Sequence, residues 1–365
     1  MAKLEDICEI LDSRRVPITA EDRVAGQYPY YGANGVQDYV ADYIFDDELV
    51  LLAEDGGYFG SSDKPIAYRV SGKCWVNNHA HVLKPKSCID VDYLCYSLMF
   101  RDVSAIVNGA TRQKLTQSDM RKIEITLLPI GEQQTVVEKI SKVFKLIALR
   151  KKQLSKLDEL VKSRFIELFG GIRDSKRYPY KAVKELTDFI SGGTPSREVH
   201  EYWEGGTIPW VKTTELQNNI ITEIDEHITK AGLDNSSAKL VPAGTVLIAM
   251  YGQGKTRGMT GYLGVEACTN QACACILPSD SINQKFLWQF FVLSYDNLRD
   301  MAKGGNQPNL NGNIIKNYPV LYPPMELQEQ FAAFVEQTDK SKLAVQQSLE
   351  KLETLKNSLM QQYFG

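Results

Sequence analysis

The sequence lacks the marks of several classes of protein. It has no apolar run of the ~18–20 residues that a membrane span needs, and no signal peptide is visible at its start. Its seven cysteines include no Cys-x-x-Cys pair and show no regular spacing. With 42 Lys and Arg against 45 Asp and Glu, the net charge of −3 does not by itself indicate a nucleic-acid-binding protein. We therefore expect a cytoplasmic protein with reduced thiols and no contact with a membrane.

Signatures of catalysis are also missing. The sequence has no Gly-x-Ser-x-Gly motif, no glycine-rich cofactor loop at a strand–helix junction and no convincing nuclease-type pair of carboxylates with a lysine. Residues 322–325 approach the Asn/Asp-Pro-Pro-aromatic loop of amino-methyltransferases, but their order is wrong. Residues 249–256 resemble a phosphate-binding loop that lacks its first glycine, yet the glycines that follow disfavour the helix that such a loop requires. We predict no catalytic residues and no cofactor bound to this chain.

The histidines and cysteines predict no metal site. His79 and His81 would lie on one face of a strand, but the other two histidines are distant in sequence, and no Cys/His group has the spacing of a zinc site. We interpret them as structural or loop residues. Cys273 and Cys275 lie in an apolar run, which predicts two buried thiols that act as small hydrophobic residues.

What the sequence does contain is a long internal repeat. Residues 129–170 and 324–365 align without a gap at an offset of 195. Identical pairs include Pro129/Pro324, Gln133/Gln328, Lys145/Lys340, Leu154/Leu349, Leu157/Leu352, Leu160/Leu355, Ser163/Ser358, Phe169/Phe364 and Gly170/Gly365. Such a repeat predicts two similar modules, each followed by a similar element.

Each copy of the repeat is predicted to be one long helix. Apolar residues recur at alternating steps of three and four, no proline interrupts either copy, and a glycine stands at each end. The stripe comprises Val136, Ile140, Val143, Ile147, Leu154, Leu157, Val161 and Leu168 in the first copy, and Phe331, Val335, Thr338, Val345, Leu349, Leu352, Leu359 and Tyr363 in the second. Nearly forty residues give a rod of roughly 55–60 Å. The matched lengths and stripes favour packing of the helices on each other over two independent surface helices.

Residues 1–128 and about 171–323 are predicted to be compact, strand-rich modules with many loops, because they combine Gly, Asn, Thr and Tyr with short β-branched runs. Weaker similarities between the two modules occur in the same order. Val50–Ala53 corresponds to Val246–Ala249, Asn78–Ala80 to Asn270–Ala272, and 109–115 to 304–310. The modules are therefore predicted to be diverged copies with one frame and different loops.

Polar, basic and aromatic loop residues are the remaining candidates for function. Their side chains donate to phosphate oxygens and recognise base edges in DNA. An alternative is that the glycines and aromatics serve turns and the core, with Tyr31 and Trp210 buried. The predicted DNA-contacting residues are Tyr31, Asn34, Asn78, His79, Arg112, Gln113, Lys114, Lys212, Thr213, Thr214, Gln253, Lys255, Thr256, Arg257, Asn306, Gln307 and Asn309.

These loops and the repeated Pro-x-x-x-Gln helices resemble the specificity subunits of type I restriction–modification systems. The resemblance covers essentially the whole chain. It implies an α+β fold in which two similar strand-rich α/β target-recognition domains are separated by two long helices, packed as an antiparallel coiled coil with internal pseudo-twofold symmetry. The implied segments are 1–130 and 171–325 for the recognition domains, and 131–170 and 326–365 for the central and C-terminal spacer helices.

The resemblance also implies a function and partners. Each recognition domain would read one half of a bipartite sequence in double-stranded DNA, and the helices would set the spacing between the halves. Two modification subunits would dock on the helices, bring S-adenosylmethionine and methylate adenine at N6. A separate restriction subunit would bring ATP-driven translocation and cleavage. The family pattern assigns no base-contacting residues, because these lie in loops that vary between members.

Two alternatives from other classes remain open from the residues alone. One is a self-contained DNA-modifying enzyme with a cryptic site, and the other is a coiled-coil scaffold whose modules bind protein. Methyl transfer and DNA binding by the purified chain, with and without modification subunits, would separate the three functions.

Overall fold

The computed structural model describes residues 1–61, 63–109, 113–252, 254–302 and 309–365. The chain forms two compact units. Unit 1 comprises Met1–Lys152 and Gln346–Gly365, and unit 2 comprises Gln153–Val345. Among the described residues, no helix is both long enough and apolar enough to cross a membrane.

In the described part of unit 1, eight short or medium strands and three short α-helices precede the first long helix. The strands are β1 (Ala2–Lys3), β2 (Cys8–Ile10), β3 (Ala25–Gly32), β4 (Gly35–Val40), β5 (Phe45–Ala53), β6 (Ala67–Val76), β7 (Ala80–Pro85) and β8 (Glu124–Ile125). The helices are α1 (Leu4–Ile7), α2 (Val91–Met99), α3 (Gln117–Arg121) and the long α4 (Ile130–Phe169).

The chain after α4 contains a second set of short strands and helices and ends in the second long helix, α10, whose first part belongs to unit 2 and whose last part belongs to unit 1. The strands are β9 (Tyr180–Ala182), β10 (Phe189–Ser191), β11 (Ile208–Val211), β12 (Asn219–Ile221), β13 (His227–Ile228), β14 (Val246–Ala249), β15 (Thr260–Leu263), β16 (Cys268–Thr269), β17 (Cys273–Ile276) and β18 (Pro319–Leu321). The helices are α5 (Val183–Leu186), α6 (Lys230–Asp234), α7 (Gln284–Leu293), α8 (Tyr295–Asp300), α9 (Gly312–Lys316) and the long α10 (Met325–Phe364).

The central sheet of unit 1 has the strand order β2-β7-β5-β6-β3-β4. Strand β5 is antiparallel to both β6 and β7. Because successive side chains of a strand point to opposite faces, Val50 and Leu52 pack in one hydrophobic cluster while Leu49 and Leu51 pack in another. This explains why the run is apolar without alternation.

The main sheet of unit 2 has the order β10-β17-β14-β15-β12, in which β10-β17-β14-β15 repeats β2-β7-β5-β6 of unit 1. Val246 and Ile248 of β14 pack in one cluster, and Leu247 and Ala249 pack in another. Strand β14 pairs antiparallel with β15 and β17, as β5 does with β6 and β7. The predicted correspondence of Val50–Ala53 with Val246–Ala249 is therefore present in the strand pairing. The predicted correspondence of Asn78–Ala80 with Asn270–Ala272 is wrong by one residue, because Ala80 pairs with Ala53 whereas Cys273 pairs with Ala249. The buried Cys273 and Cys275 lie in β17, as expected.

The repeated glutamines make the same hydrogen bonds in both units. Gln133 is 0% exposed and Gln328 is 1% exposed. Each side chain joins the start of its long helix to the start of a helix that covers the sheet. The partners are Asp90 N–H (2.8 Å) and the Leu128 carbonyl (2.7 Å) for Gln133, and Asn283 N–H (2.9 Å) and the Pro323 carbonyl (2.7 Å) for Gln328. These bonds explain the Pro-x-x-x-Gln pattern at the start of both copies.

Within unit 1, the first half of α4 packs against the last part of α10 in the antiparallel direction. Lys139 Nζ lies 3.3 Å from the Tyr363 hydroxyl, whereas Arg150 Nε lies 3.2 Å from Ser348 Oγ. Residue numbers therefore rise along one helix as they fall along the other. Phe364 ends this contact on the ring of Tyr93, with ring centroids 5.2 Å apart.

Within unit 2, the second half of α4 packs on the first part of α10 in the same antiparallel sense. Asp158 Oδ1 lies 2.8 Å from Lys342 Nζ, and the rings of Phe165 and Phe331 lie 5.4 Å apart. The predicted stripes form these contacts, since their members in each unit are buried or half-buried. The predicted α+β fold with long antiparallel helices is confirmed.

Candidate nucleic-acid interface

Five predicted DNA-contacting residues of unit 1 come together where β5 ends. The β3–β4 turn carries Asn34, the β6–β7 turn carries Asn78 and His79, and the segment before α3 carries Gln113 and Lys114. We call these five residues the unit 1 face.

The turn 54–56, which follows β5, joins the segments of the unit 1 face. The Gly56 carbonyl accepts a hydrogen bond from Asn34 Nδ2 at 3.0 Å, and the Gly56 N–H donates to the Gln113 carbonyl at 3.3 Å. Asp55, in the middle of the turn, places its carboxylate oxygen Oδ1 2.7 Å from His79 Nδ1. Side chains from separate loops are thus fixed to one turn.

Of the other two predicted residues of unit 1, the structure describes only Tyr31, which is placed differently. The Tyr31 ring is half-buried and lies 5.7 Å from the ring of Tyr68. Its carbonyl accepts a hydrogen bond from the Asn77 N–H at 3.0 Å, so Tyr31 contributes to the frame of the sheet. Arg112 lies outside the described residues.

A largely buried ionic network lies next to the unit 1 face. Glu54 Oε1 lies 2.9 Å from Lys114 Nζ, and its Oε2 lies 2.6 Å from Arg15 Nη1. Asp12 Oδ2 lies 2.7 Å from His81 Nδ1. Asp12, Glu54 and His81 are buried. We call these five residues the unit 1 network.

Two oxygen atoms lie against the ring nitrogens of His81. Its Nδ1 faces the Asp12 carboxylate, and its Nε2 lies 2.9 Å from the Leu115 carbonyl. Both ring nitrogens therefore have a protein partner, which holds the ring in place. The charged side chain of the network that reaches the surface is Lys114, which is 50% exposed, against 12% for Arg15 and 0% for His81.

The surroundings of the two carboxylates keep them ionised. Burial raises the pKa of Asp12, but hydrogen bonds from His81 and other donors, with the charge of His81, outweigh it and hold the pKa below its usual value. Burial likewise raises the pKa of Glu54, but hydrogen bonds from Arg15 and Lys114 outweigh it, so that pKa is also lowered.

The same cluster is the one place, among the described residues, where three possible metal ligands converge. One ligand atom each from Asp12, Glu54 and His81 lies within 4.8 Å of the others. Every carboxylate oxygen, however, already has a protein donor: Asp12 Oδ1 has Val82 N–H, Asp12 Oδ2 has His81 and Gln117, Glu54 Oε1 has Lys114, and Glu54 Oε2 has Arg15. The donor set is that of an ion-pair network rather than a metal site.

In unit 2, β14 is followed by the glycine-rich loop 250–258, which leads directly into β15. Gly252, Gly254 and Gly258 have φ values of +144°, +58° and +86°, which glycine adopts without strain. Because β15 and not a helix follows this loop, it has no helix N-terminus of the kind that a nucleotide phosphate-binding loop uses.

Two side chains of α8 hold the glycine-rich loop by its carbonyls. Arg299 Nη1 donates to the Arg257 carbonyl at 2.8 Å, and Nη2 donates to the Gly254 carbonyl at 2.9 Å. The Tyr295 hydroxyl donates to the Lys255 carbonyl at 2.7 Å and lies 3.1 Å from Arg299 Nη1. We call Arg299 and Tyr295 the unit 2 clamp.

The loop side chains differ in exposure. Lys255 is exposed, whereas Thr256 and Arg257 are half-buried. The predicted Gln253 lies outside the described residues. Of the three predicted loop residues that the structure describes, Lys255 is therefore the one most accessible to a large ligand.

Three further predicted residues of unit 2, Lys212, Thr213 and Thr214, come directly after β11. Lys212 Nζ lies 2.7 Å from Glu226, which also binds Arg197, and the hydrogen bond to Glu226 raises the pKa of Lys212. Thr213 and Thr214 follow Lys212 directly in the chain, in a short 3₁₀ turn. The Lys212 charge is thus partly satisfied within the protein.

Asn309 occupies the place in unit 2 that Lys114 has in unit 1. It is half-buried and precedes Leu310, whose N–H donates to the Met250 carbonyl at 3.0 Å. Asn306 and Gln307 lie outside the described residues.

The two units hold these residues on one backbone frame. Three hydrogen bonds recur at equivalent positions. In unit 1 they run from Asn77 N–H to Tyr31 O (3.0 Å), from Glu54 N–H to His79 O (2.9 Å) and from Leu115 N–H to Glu54 O (2.7 Å). In unit 2 their counterparts run, in the same order, from Asn270 N–H to Val211 O (3.0 Å), from Met250 N–H to Ala272 O (2.8 Å) and from Leu310 N–H to Met250 O (3.0 Å). Different polar side chains therefore stand on a repeated frame.

This duplication agrees with the comparison with known families. The model of the type I restriction modification DNA specificity domain matches residues 1–159 and again residues 176–355. The chain belongs to this family.

Individual relatives agree with the family. The chain is 25% identical to a Haemophilus influenzae protein named as a putative type I restriction enzyme specificity subunit, over 98% of this chain and 94% of that protein. It is 29% identical to the specificity subunit of the type I restriction enzyme MjaIX from Methanocaldococcus jannaschii, over 50% of this chain and 44% of that subunit. The crystal structure of a type I S subunit from M. genitalium has the same fold, with a TM-score of 0.64 at 14% identity, covering 100% of this chain and 95% of that one.

The prediction of a specificity subunit is thus confirmed. This chain is a DNA-recognising, non-catalytic component of a type I restriction–modification complex. Neither the self-contained DNA-modifying enzyme nor the protein-binding scaffold receives support from the relatives.

Sequence reasoning missed the residues that support the interface. Asp12, Arg15 and Glu54 of the network, and Tyr295 and Arg299 of the clamp, were not among the candidates. Most lie far in sequence from the loops that they hold, and no motif marks them. Only the strand register brings them into place.

Proposed function

We propose that each unit of this specificity subunit reads one half of a bipartite target in double-stranded DNA, at the end of its sheet where the predicted residues gather. The observation that carries the proposal is the repeated frame with different side chains on it. In unit 1 the polar residues are those of the unit 1 face, and in unit 2 they include Lys255, Thr214 and Asn309. Such groups can donate to phosphates and recognise base edges.

The rest of the complex supplies the chemistry under this proposal. Two modification subunits bring S-adenosylmethionine and methylate adenine at N6, and a restriction subunit brings ATP-driven translocation and cleavage. The specificity subunit binds no cofactor itself and acts in the cytoplasm. Its net charge of −3 supports this division, because partner subunits can neutralise much of the phosphate charge.

The long helices act as spacers in the same proposal. Residues 1–130 and 171–325 form the recognition domains, and 131–170 and 326–365 form the spacers. Each long helix has 40 residues, which corresponds to a length of about 60 Å. Antiparallel packing of the two helices within each unit supports this spacer role.

Exchange of one module tests the division of labour. Residues 1–128 are replaced with the first module of another specificity subunit, and the variant is expressed with its modification subunits. Long-read mapping of N6-methyladenine then gives the recognised sequence. We expect one half of the target to change while the other half and the spacer are kept, because unit 2 is unaltered.

The reciprocal exchange of residues 175–323 is the matched control, and it should change only the other half. If either exchange alters both halves in a folded, active complex, the proposal of two independent readers is wrong.

A further inference from the structure

The unit 1 network has no counterpart in unit 2 at the positions that the shared backbone frame makes equivalent. His81 lies opposite Leu52 on β5, and the equivalent position opposite Ile248 on β14 is Ala274. Glu54 and Met250 follow the two central strands and make equivalent backbone hydrogen bonds. Met250 is 3% exposed and Ala274 is 0% exposed, and both pack in the hydrophobic core.

The other two positions follow from the register of the edge strands. Ile10 of β2 pairs with Leu83, as Phe189 of β10 pairs with Ile276. Two residues further along, Asp12 therefore corresponds to Ser191. Unit 1 then forms a 3₁₀ turn (Asp12–Arg14), and Arg15 aligns with Thr194 by residue count. Unit 2 builds this region from Ser191, Thr194, Met250 and Ala274, without a charge at any of the four positions.

The fold itself therefore does not require the charges of the unit 1 network. Transfer of ionised groups into a protein interior is costly, and replacement of buried ion pairs by well-packed apolar groups is often neutral or stabilising. Unit 2 shows that uncharged residues satisfy the same frame. The network must then serve something other than the formation of the sheet.

What the network does is fix one exposed ammonium group. Glu54 holds Lys114 Nζ at 2.9 Å, and Arg15 holds Glu54 at 2.6 Å. Arg15 also donates to the Ala80 carbonyl at 2.7 Å, which ties the chain of contacts to β7. A lysine that only neutralised phosphate would not need such an anchor, because a mobile ammonium follows the backbone charge. A fixed ammonium is suited to one defined acceptor, such as guanine O6 or N7 in the major groove.

We propose that Asp12, Arg15, Glu54 and His81 are positioning residues that hold Lys114 against a base edge in the half-site read by unit 1. The inference rests on the proposed function and deepens it by assigning a reading residue and its support. Unit 2 has Asn309 in the equivalent place and reads its half-site without such a network.

The experiment uses the complex of the full chain with its modification subunits, after its target has been mapped. Competition binding is measured on duplexes in which each base pair of either half-site is replaced in turn. We expect Lys114→Ala to reduce discrimination at one base pair of one half-site by about 5- to 150-fold. Discrimination in the other half-site should not change.

Two further variants test the support. Glu54→Gln keeps the shape of the side chain but removes its charge, and should reduce discrimination at that same base pair by about 3- to 10-fold. The combined variant D12S/R15T/E54M/H81A copies the residues of unit 2 and keeps Lys114. It should fold, keep the other half-site, and lose discrimination at the Lys114 base pair. Thermal unfolding and the unaffected half-site report on the fold.

Several results would overturn the inference. If Lys114→Ala weakens binding to all sequences equally and lowers the salt slope by about one, Lys114 contacts phosphate. If the combined variant folds and keeps full discrimination, the network does not position Lys114. If the combined variant does not fold, Glu54→Gln decides the question. Full discrimination by Glu54→Gln would also show that the network does not position Lys114. A null effect of Lys114→Ala on both half-sites refutes the inference alone, since module exchange tests the two-reader function separately.

Discussion

The two units support the same end of the sheet by different means. In unit 1 the support comes from the sheet, where Glu54 and His81 belong to an ionic network. In unit 2 the equivalent positions are apolar, and the loop after β14 is held from the side by Arg299. Because the backbone hydrogen bonds of the frame are the same, the difference lies in the side chains. A frame fixed by the backbone leaves the side chains around it free to diverge.

This difference separates two kinds of residue in the molecule. Changes to the shared frame should affect both units alike, whereas changes to the network or to the clamp should affect one unit only. Substitutions of each kind test this separation.

The largest effect is expected at the shared glutamines. Gln133→Ala and Gln328→Ala each leave a backbone N–H and carbonyl groups without their partner, which should destabilise the unit concerned by about 2–4 kcal/mol. We expect similar losses in the two units, measured as faster hydrogen exchange at the Asp90 amide in one case and the Asn283 amide in the other. The exposed neighbours offer controls, Glu132→Ala and Glu329→Ala, which should have little effect. Strongly unequal losses would show that the frames are not equivalent.

The next effect concerns the unit 2 clamp. Arg299→Met removes the donors to the Gly254 and Arg257 carbonyls, so the glycine-rich loop should lose its fixed position. We expect about tenfold weaker binding to the half-site read by unit 2 and unchanged recognition of the other half, measured with the assembled complex. The exposed Asp296 on the same helix provides the control, Asp296→Ala. An equal loss at both half-sites would argue against independent support.

A smaller effect is expected from acid. The pKa values of Asp12 and Glu54 lie below their ordinary values of 3.8 and 4.5. Their ionised forms therefore stabilise unit 1 at pH values above the unfolded-state pKa values. This stability is lost as the pH falls through the lowered folded-state pKa values, below about pH 4. Unit 2 has uncharged residues at these positions. We expect the protection of the Leu115 amide to fall more than that of the Leu310 amide when the pH is lowered from about 6 to about 3.

The Glu54→Gln variant is the control for the acid effect, because it removes one titrating group of the network. It should reduce the difference between the two amides. Glu226 in unit 2 also has a lowered pKa, but burial opposes the shift and its ion pairs are partly exposed, so its contribution should be small. Parallel loss of protection in both units would contradict the prediction.

The sequence predicted the parts of the fold that repeat locally. The long helices follow from apolar residues at steps of three and four, and the central strands from the matched runs Val50–Ala53 and Val246–Ala249. Loop polarity predicted the unit 1 face but not its support. Asp12 and His81 are 69 residues apart, and only the pairing of β2 with β7 brings them together. Such a contact depends on strand register, which one sequence does not specify.

Burial and ion pairs also distinguish the predicted functional residues from one another. Lys212 was predicted to contact DNA and that remains a proposal, but its ammonium is held by Glu226. Trp210 is 2% exposed, in agreement with the interpretation of core aromatics, and its indole donates to the Gly193 carbonyl at 2.9 Å. An acidic partner fourteen residues from a lysine gives no recognisable pattern in the sequence, so the pairing of Lys212 could not be predicted.

The smallest effect is expected at a pair of leucines that the two long helices share. Most identical apolar pairs of the repeat lie in the helix contacts, but Leu160 and Leu355 are 47% and 45% exposed. The repeat thus places an exposed leucine at the same position in both copies. Under the proposed function, we expect these two leucines to contact the modification subunits, one at each copy. Leu160→Ala and Leu355→Ala should each weaken assembly by a few-fold, on the order of 0.5–1.5 kcal/mol.

Leu343→Ala is the matched control, because Leu343 is 60% exposed and its repeat counterpart is Ala148. Titration of modification subunits onto each variant, followed by analytical ultracentrifugation, measures the effect. Equal weakening by all three substitutions, or by none, would show that the repeated leucine is not a docking residue.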